Sequence, residues 1–396
     1  MNRMNKQEII YVGAWGADIQ GVNNPEAGDG GIKAYDSETF ELISKVTPDV
    51  NVGSMAVAKN GRYIYATDER KDLGEVHGNG GGIASYSVDG DGKLSFLNEV
   101  SSAGAYPCYI TVDSQNRYAF AANHGNHEEV ITRSVRTEQG TYVAKRFFDE
   151  GSIAMFPINA DGSLSECCEL KVLEGSSDLP LFQWTSHPHS VCLDPTENYL
   201  LCADKGCDLI HVYKIDYEGG TLNEIWAQET EKGSGPRHIA FHPTQPILYC
   251  NSEQNHTVHS YSFNSKTGEM NHLERAVTVS DNYQPKDDPT DIFAHNQTAD
   301  LKIHKSGNYL YVSNRGDDSI AAYRLSENGK MELIEIVSSG GAIPRSINFD
   351  LAGDHIYVVN QRSGTINKFL VDEANGKLTN TGSEIQVNNP VNIQFG

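Results

Sequence analysis

A pattern of four short strands recurs along the whole chain, and it ends on a first strand that has no partner. One unit reads Pro236–Pro243, Ile247–Asn251 and Thr257–Phe263, each rich in β-branched and aromatic residues, followed by a turn at Gly268 and a looser strand. The units repeat every 45 to 60 residues or so, a spacing typical of β-propeller blades and not of helical solenoids. The repeat therefore predicts an all-β propeller.

The two ends of the chain complete one another. The last unit stops after Pro390–Phe395, a first strand with no second, whereas Ile9–Gly13 is a second strand with no first. We predict that these segments share a blade with the third strand Gly31–Tyr35, which closes the ring and removes its open edges. The fold class is then a seven-bladed β-propeller with four-stranded antiparallel blades. It forms one domain over residues 1–396, with loop insertions at about 127–150 and 281–296.

Charge and composition restrict the partners of such a ring. The net charge of −22 disfavours nucleic acid, whose phosphates would be repelled, so an anionic ligand would need a local basic pocket. No apolar run approaches the roughly 18 residues that span a bilayer, and the polar N-terminus has no secretory signal. Seven cysteines without CxxC spacing indicate reduced thiols in a cytoplasmic protein. A ring of this size needs no partner to fold, so we expect a monomer.

Polar side chains collect where the repeat does not require them. First strands of a propeller line the axis, and the loops that enter them open on the same face as the loops after the second strands. His189 and Arg237 begin first strands, whereas Glu253 and Arg315 follow second strands, in three consecutive blades. A titratable pair beside two fixed cations suits acid/base chemistry on an anionic substrate. Further candidate substrate contacts nearby are Arg345, His187, Asn314 and His238.

Structural roles and metal binding are alternative interpretations of some of these polar residues. His238 and His242 lie on a strand whose side chains alternate between faces, which favours a structural role for both. The pairs His187/His189 and His124/His127 resemble metal ligands, but a third ligand and a carboxylate would have to come from another blade. We therefore predict no metal and no other cofactor. The chain also lacks a Gly-x-Ser-x-Gly elbow and a Gly-rich phosphate loop.

Four motifs in order resemble a known family. They are His187–Val191, Gly235–Pro243, Tyr249–Glu253 and Leu310–Gly316, and the resemblance covers nearly the full chain. They resemble the lactonase family of seven-bladed propellers, which contains propeller-type 6-phosphogluconolactonases and fungal 3-carboxy-cis,cis-muconate lactonising enzymes. The resemblance implies a metal-free enzyme acting on lactones or on the acids that form them. The family's functional His, Arg, Glu and Arg fall on His189, Arg237, Glu253 and Arg315.

Four functions follow from these observations. The first is hydrolysis of 6-phosphoglucono-1,5-lactone, with one of Glu253 and His189 activating water and the other protonating the ring oxygen. The second is lactonisation of a carboxymuconate-like polycarboxylate by the same residues. The third is a non-catalytic binding scaffold, which would present an apolar or aromatic face. The fourth is a calcium-dependent lactonase, whose oxygen ligands would come from Asp68, Asn123, Asn251, Asp300 and Asn314. The two insertions depart from the family pattern and lie where they can shape substrate choice.

Overall fold

β-Strands make up the regular structure of the protein, and no helix occurs among the residues described. The structure is a computed structural model that describes residues 7–16, 29–47, 50–74, 76–126, 130–180, 182–288 and 290–396. Within these ranges no segment is a helix long and apolar enough to cross a membrane. Seven four-stranded antiparallel sheets stand in a ring, because each first strand contacts the first strand of the next sheet. The predicted seven-bladed propeller is confirmed.

We number the blades in chain order and give the strands of each from the axis outwards. Blades 1 to 3 consist of β30 (Pro390–Phe395), β1 (Ile9–Ala14), β2 (Gly31–Asp36), β3 (Leu42–Val46); β4 (Val52–Val57), β5 (Tyr63–Asp68), β6 (Gly82–Val88), β7 (Leu94–Ser101); and β8 (Pro107–Val112), β9 (Tyr118–Asn123), β12 (Gly151–Pro157), β13 (Glu169–Leu173). Blades 4 and 5 consist of β14 (Pro188–Leu193), β15 (Tyr199–Asp204), β16 (Leu209–Asp216), β17 (Thr221–Glu229); and β18 (Pro236–Phe241), β19 (Ile247–Ser252), β20 (Thr257–Phe263), β21 (Met270–Val277). Blades 6 and 7 consist of β22 (Gln297–Ile303), β23 (Tyr309–Arg315), β24 (Ser319–Leu325), β25 (Met331–Ser338); and β26 (Pro344–Phe349), β27 (His355–Asn360), β28 (Thr365–Val371), β29 (Leu378–Gln386).

Blade 1 is assembled from both ends of the chain, as the unpaired strands predict. β1 lies between β2 and β30, so that Ile10 pairs with Tyr35 on one side and with Phe395 on the other. Two backbone hydrogen bonds continue this pairing. The Ile9 amide donates to the Gly396 carbonyl (3.0 Å), and the Gly396 amide donates to the Ile9 carbonyl (3.1 Å). Because β1 supplies both neighbours with hydrogen bonds, its loss would expose two strand edges.

The apolar core lies between the blades and not at the axis. Second and third strands are buried on both faces because each sheet packs against two neighbours, which accounts for their near-continuous apolar sequences. Phe120 of blade 3, for example, packs in one cluster with Leu200 and Tyr213 of blade 4. The axis is thereby left to polar side chains.

Most first strands begin with a break in the ladder. The register shifts between Pro188 and Ser190 in β14, between Pro236 and Ile239 in β18, and between Pro344 and Ser346 in β26. A β-bulge frees a residue from regular alternation and turns its side chain. The side chains freed here are His189, Arg237 and Arg345, and the bulges let them face the end of the channel.

Both predicted insertions lie beside the mouth of the channel. Residues 127–129 fall outside the described ranges, but the rest of the first insertion forms a hairpin of β10 (Ile131–Arg136) and β11 (Tyr142–Phe147). Arg146 of this hairpin stacks on Trp184, with its Cζ 5.0 Å from the ring centroid. The second insertion is held to blade 7 by two 2.8 Å hydrogen bonds from Arg362 to Asp291.

Removal of the β10–β11 hairpin is expected to leave the ring intact. The hairpin strands pair only with each other among the described residues and are almost entirely exposed, so they add little buried apolar area. Replacing residues 131–146 with a short glycine linker should shift the melting temperature by no more than a few degrees. The contrasting deletion of β13, which pairs with β12, should lower it sharply. A large drop with the hairpin deletion would show that the hairpin packs on the ring.

Candidate active site

A cavity of about 370 Å³ opens at the end of the channel where the second strands finish. Its volume suits a ligand the size of a sugar. Four cationic side chains but only two carboxyl groups line it, within a chain of net charge −22. The lining residues are Glu69, His124, Phe182, Trp184, His189, Lys205, Arg237, Glu253, Ile292, Phe293, Gln297, Arg315 and Arg345. The basic pocket that an anionic ligand requires is therefore present.

Two structural positions in each blade supply the charged part of the wall. The first is the bulged second residue of the first strand, which places His189, Arg237 and Arg345. The second is the residue that ends or follows the second strand, and across the seven blades it is Trp15, Glu69, His124, Lys205, Glu253, Arg315 and Gln361. All four residues predicted to be catalytic occupy one of these two positions and line the cavity.

Asparagine and aspartate side chains near the ends of the second strands hold this rim in place. Asp204 accepts hydrogen bonds from the His187 amide (2.8 Å) and the Ser186 hydroxyl (2.7 Å), and Asn251 accepts one from the His238 amide (3.0 Å). Each bond ties the end of a second strand to the start of the first strand in the same blade. The residue that follows each second strand, such as Lys205 or Glu253, is consequently fixed relative to the bulged residue of the same blade.

Glu253 lies at the centre of a buried ionic cluster. Its Oε1 accepts a hydrogen bond from Lys205 Nζ at 2.8 Å, and its Oε2 accepts one from Arg237 Nε at 2.8 Å and one from Arg315 Nη2 at 3.0 Å. These partners belong to blades 4, 5 and 6. Burial alone would raise the pKa of Glu253, but the positive charges of Lys205, Arg315 and Arg237 outweigh it and hold that pKa well below the usual value. Glu253 is an ionised carboxylate at neutral pH.

His189 has the opposite electrostatic character. Its side chain lies near the rings of His124 and His238, with centroids 5.6 Å and 5.3 Å away, and its buried Nδ1 has no hydrogen-bond partner among the described residues. Burial lowers the pKa of His189 well below its ordinary value, and the nearby charge of Arg237 lowers it further. The imidazole is therefore neutral at pH 7 and able to accept a proton.

Two of the arginines retain hydrogen-bonding capacity for a ligand. To the described residues Arg345 makes one side-chain hydrogen bond, from Nη2 to Glu69 Oε2 at 3.5 Å, and its guanidinium stacks on Trp15 at 4.4 Å. Arg315 Nε is buried without a partner within the described part of the chain, while its guanidinium faces the Phe293 ring at 5.0 Å. Each guanidinium carries five N–H donors, so both can still bind an oxyanion.

Of the further predicted substrate contacts, the cavity wall includes Arg345 but not His187, His238 or Asn314. His187 stacks on His124 and its Nδ1 lies 2.8 Å from the His124 carbonyl. His238 Nδ1 bonds Asp300 at 2.9 Å, and its Nε2 lies 3.1 Å from Arg237 Nη1. These contacts assign the two histidines to support of the wall.

Asn314 is fully used between blades. Its Nδ2 donates to the Thr278 carbonyl at 2.7 Å, and its Oδ1 accepts from the Thr278 hydroxyl at 2.7 Å and from Asn296 Nδ2 at 3.0 Å. His242, predicted to be structural, accordingly bonds the Gly307 carbonyl of the next blade through Nε2 at 2.9 Å.

Sequence reasoning missed two charged residues of the wall, Lys205 and Glu69. Both stand at the same blade position as Glu253 and Arg315, directly after the second strands β15 and β5. Comparing the residue after the second strand in every blade would have identified both of them. The aromatic and apolar residues Phe182, Trp184, Ile292 and Phe293 come from loops, where the repeat gives no position to read.

The oxygen ligands considered for calcium do not meet at this cavity. None of Asp68, Asn123, Asn251, Asp300 and Asn314 lines it. Asp68 pairs with Arg70, and Asp300 bonds His238 and Ser346. In the described part of the chain no group of three or more His, Cys, Asp or Glu side chains is arranged to hold a metal ion, and His127 lies outside that part.

The fold and the pocket define a propeller whose axial cavity has the size and charge to take a small anion. A family model described as "Lactonase, 7-bladed beta-propeller" matches residues 26–395, and the chain belongs to that family. It is a lactonase, and hence a carboxylic ester hydrolase.

Relatives of the chain extend over its whole length. A 6-phosphogluconolactonase of Bacillus subtilis (strain 168) is 28% identical over 391 residues, which are 97% of this chain and 98% of that protein. An uncharacterized protein of Lactococcus lactis subsp. cremoris is 35% identical over 328 residues, which are 82% of this chain and 85% of that protein.

Two solved structures share the fold. The crystal structure of a putative 6-phosphogluconolactonase from Bacteroides fragilis superposes with a TM-score of 0.80 at 22% identity, covering 100% of this chain and 99% of that one. The periplasmic gluconolactonase of Pseudomonas aeruginosa superposes with a TM-score of 0.78 at 23% identity, covering 98% of both chains.

Proposed function

We propose that the protein hydrolyses a sugar δ-lactone that carries an anionic group, with 6-phosphoglucono-1,5-lactone as the first candidate. The observation that carries the proposal is the excess of positive charge in a sugar-sized cavity of a strongly acidic protein, beside a neutral histidine. The name of the Bacillus subtilis relative, which matches over nearly its full length, supports the same substrate.

His189 acts as the general base in this proposal. A base must be unprotonated at the working pH and have an atom free to accept the proton. The neutral His189 imidazole, whose Nδ1 has no hydrogen-bond partner among the described residues, meets both conditions. Glu253 is ionised, but both of its carboxylate oxygens already accept hydrogen bonds from cationic side chains. Glu253 instead orients Arg237, Arg315 and Lys205, which are the groups that meet the negative charge of the substrate.

The fixed guanidinium groups supply the electrophilic part of the reaction without a metal. Water attack on the lactone carbonyl creates an oxyanion, and preorganised cations in a dry site stabilise such charge strongly. Arg237 is held by Glu253, the Ala299 carbonyl and His238, so it suits the oxyanion. Arg315 and Arg345 retain N–H donors for the phosphate.

The deciding assay is hydrolysis of freshly generated 6-phosphoglucono-1,5-lactone, coupled to detection of 6-phosphogluconate, with and without EDTA. We expect EDTA-resistant turnover well above the spontaneous rate. Arg315→Ala should lower kcat/KM by about 10²-fold or more, because a buried charge partner of the substrate is lost. Arg324→Ala, an exposed arginine of the same sheet, is the matched control and should leave it unchanged. No turnover above the spontaneous rate would refute the proposal.

The pH profile tests the role of His189. Its pKa lies well below the usual value, so the neutral form required of a base persists as the pH falls through 6.5. We expect kcat/KM to stay level from neutral pH down past that point and to fall only when the lowered pKa is reached. Measurements between about pH 5 and 7.5, corrected for spontaneous hydrolysis, decide it. If the fall toward low pH already reached half the maximal rate at pH 6.5 or above, the assignment would be contradicted.

We propose that the enzyme works in the cytoplasm. All seven cysteines are free thiols, among them the neighbours Cys167 and Cys168, and free thiols are typical of a reducing compartment. Sugar phosphates are intracellular metabolites, so the compartment and the candidate substrate agree.

A further inference from the structure

Glu69 is a second buried carboxylate in the cavity, and the mechanism above leaves it without a task. It follows β5 of blade 2, and its side chain is only 5% exposed. Gly53, at the bulged position of β4, leaves room for it, because a Cβ at residue 53 would lie 2.2 Å from Glu69 Oε2. The carboxyl group therefore occupies the space that a side chain from the axis of its own blade would fill.

Glu69 and Glu253 differ in the number of cations they contact. Among the described residues, Glu253 has three cationic partners at 2.8 to 3.0 Å, whereas Glu69 has one, Arg345 Nη2, at 3.5 Å. This one partner belongs to blade 7, which is separated from blade 2 only by blade 1. A buried carboxyl group with so little compensation is stabilised in its neutral form.

The direction of the pKa shift of Glu69 agrees with this small number of cationic partners. Burial raises the pKa of Glu69 above its usual value, and the charges of Arg345, Arg237 and Lys205 offset that rise only in part. The nearby Cys108 thiol is neutral, since burial raises its pKa. Two carboxyl groups in one cavity with pKa values pushed in opposite directions are characteristic of an acid and an electrostatic partner.

We propose that Glu69 is the general acid that protonates the ring oxygen as it leaves the lactone carbonyl carbon. The inference rests on the proposed lactonase function and adds a catalytic residue to it. Glu69 enters the cavity from blade 2 and His189 from blade 4, so the proton donor and the base reach the substrate from different parts of the ring.

Every proton in this step is accounted for. Water forms a bond to the carbonyl carbon and gives one proton to His189. The tetrahedral intermediate collapses, the bond from carbon to the ring oxygen breaks, and that oxygen takes the proton of Glu69. The product is the open hydroxy acid, and transfer of the proton from His189 through solvent to Glu69 restores both groups.

Glu69→Gln tests the role, because it keeps the shape of the side chain and removes the titrating proton. We expect kcat for the sugar lactone to fall about 10²-fold, within the usual range for a general acid, with little change in KM. Wild-type kcat/KM should fall at high pH as Glu69 ionises, since an acid catalyst is active below its pKa. The Glu69→Gln variant should lack this fall at high pH, the alkaline limb of the profile. Glu69→Asp, which restores a carboxyl group, should show the alkaline limb again.

Glu99→Gln is the matched control, because Glu99 is a half-buried carboxyl of the same blade with a pKa raised to about 6 that does not line the cavity. It should leave kcat and the pH profile unchanged.

Gly53→Ala should displace the Glu69 carboxyl and lower kcat while the melting temperature changes little. If folded Glu69→Gln keeps wild-type kcat or retains the alkaline limb, the inference is wrong and the lactonase proposal stands. If the wild type does not hydrolyse the lactone, the lactonase proposal itself fails.

Discussion

His189→Ala is expected to lower kcat for the lactone by about 10²- to 10⁴-fold, the usual contribution of a general base. Water would then have to attack without a proton acceptor, while the cations that bind the substrate stay in place. KM should change little, because the substitution removes a group that acts on the transition state. Steady-state kinetics on the purified variant measure both constants.

The control for this variant is His77→Ala. The His77 side chain is 92% exposed and contacts Asp72 outside the cavity, so its loss should leave kcat and KM unaltered. If His189→Ala keeps kcat within a few-fold of the wild type, His189 is not the base. Glu253→Gln would then be the next variant to compare.

Deletion of residues 1–14 is expected to abolish the cooperative thermal unfolding of the ring. The deletion removes β1, which pairs with β2 on one side and β30 on the other, so blade 1 loses its central pairing. Two exposed strand edges also favour aggregation. Differential scanning calorimetry on the truncated chain should show a low, broad transition or none.

A graded form of the same test uses single substitutions in blade 1. Ile10 is fully buried in β1, and Ile10→Ala should lower the free energy of unfolding by about 2 to 5 kcal/mol through lost burial and the cavity left behind. Leu42 in the outer strand β3 is 54% exposed, so Leu42→Ala should change it by about 0.5 kcal/mol or less. Equal effects at the two positions would show that the terminal strand does not close the ring.

The fold could be predicted because a propeller repeats one local pattern. Strand periodicity, turn residues and the two unpaired terminal strands each carry a signal within a few residues of sequence, and the blade order follows from chain order. The catalytic candidates could be predicted for the same reason, since the start of a first strand and the end of a second strand recur in every blade. His189, Arg237, Glu253, Arg315 and Arg345 all occupy these positions.

The rest of the site depends on contacts that no local pattern records. Side chains alternate along a strand, so His238 beside Arg237 and Asn314 beside Arg315 point away from the cavity, although each stands next to a residue that lines it. The ionisation of Glu253 depends on cations brought together from three blades. The neutral state of His189 likewise follows from burial, which only the assembled ring creates.

The pairing of β1 with β30 has a consequence for synthesis on the ribosome. β1 emerges before every other described strand and β30 after all of them, yet the two are neighbours in blade 1. Blades 2 to 7 can each fold as their own strands appear, whereas blade 1 must wait with one edge of β1 uncovered. During that interval the exposed backbone of Ile9–Ala14 is the part of the nascent chain most in need of a chaperone.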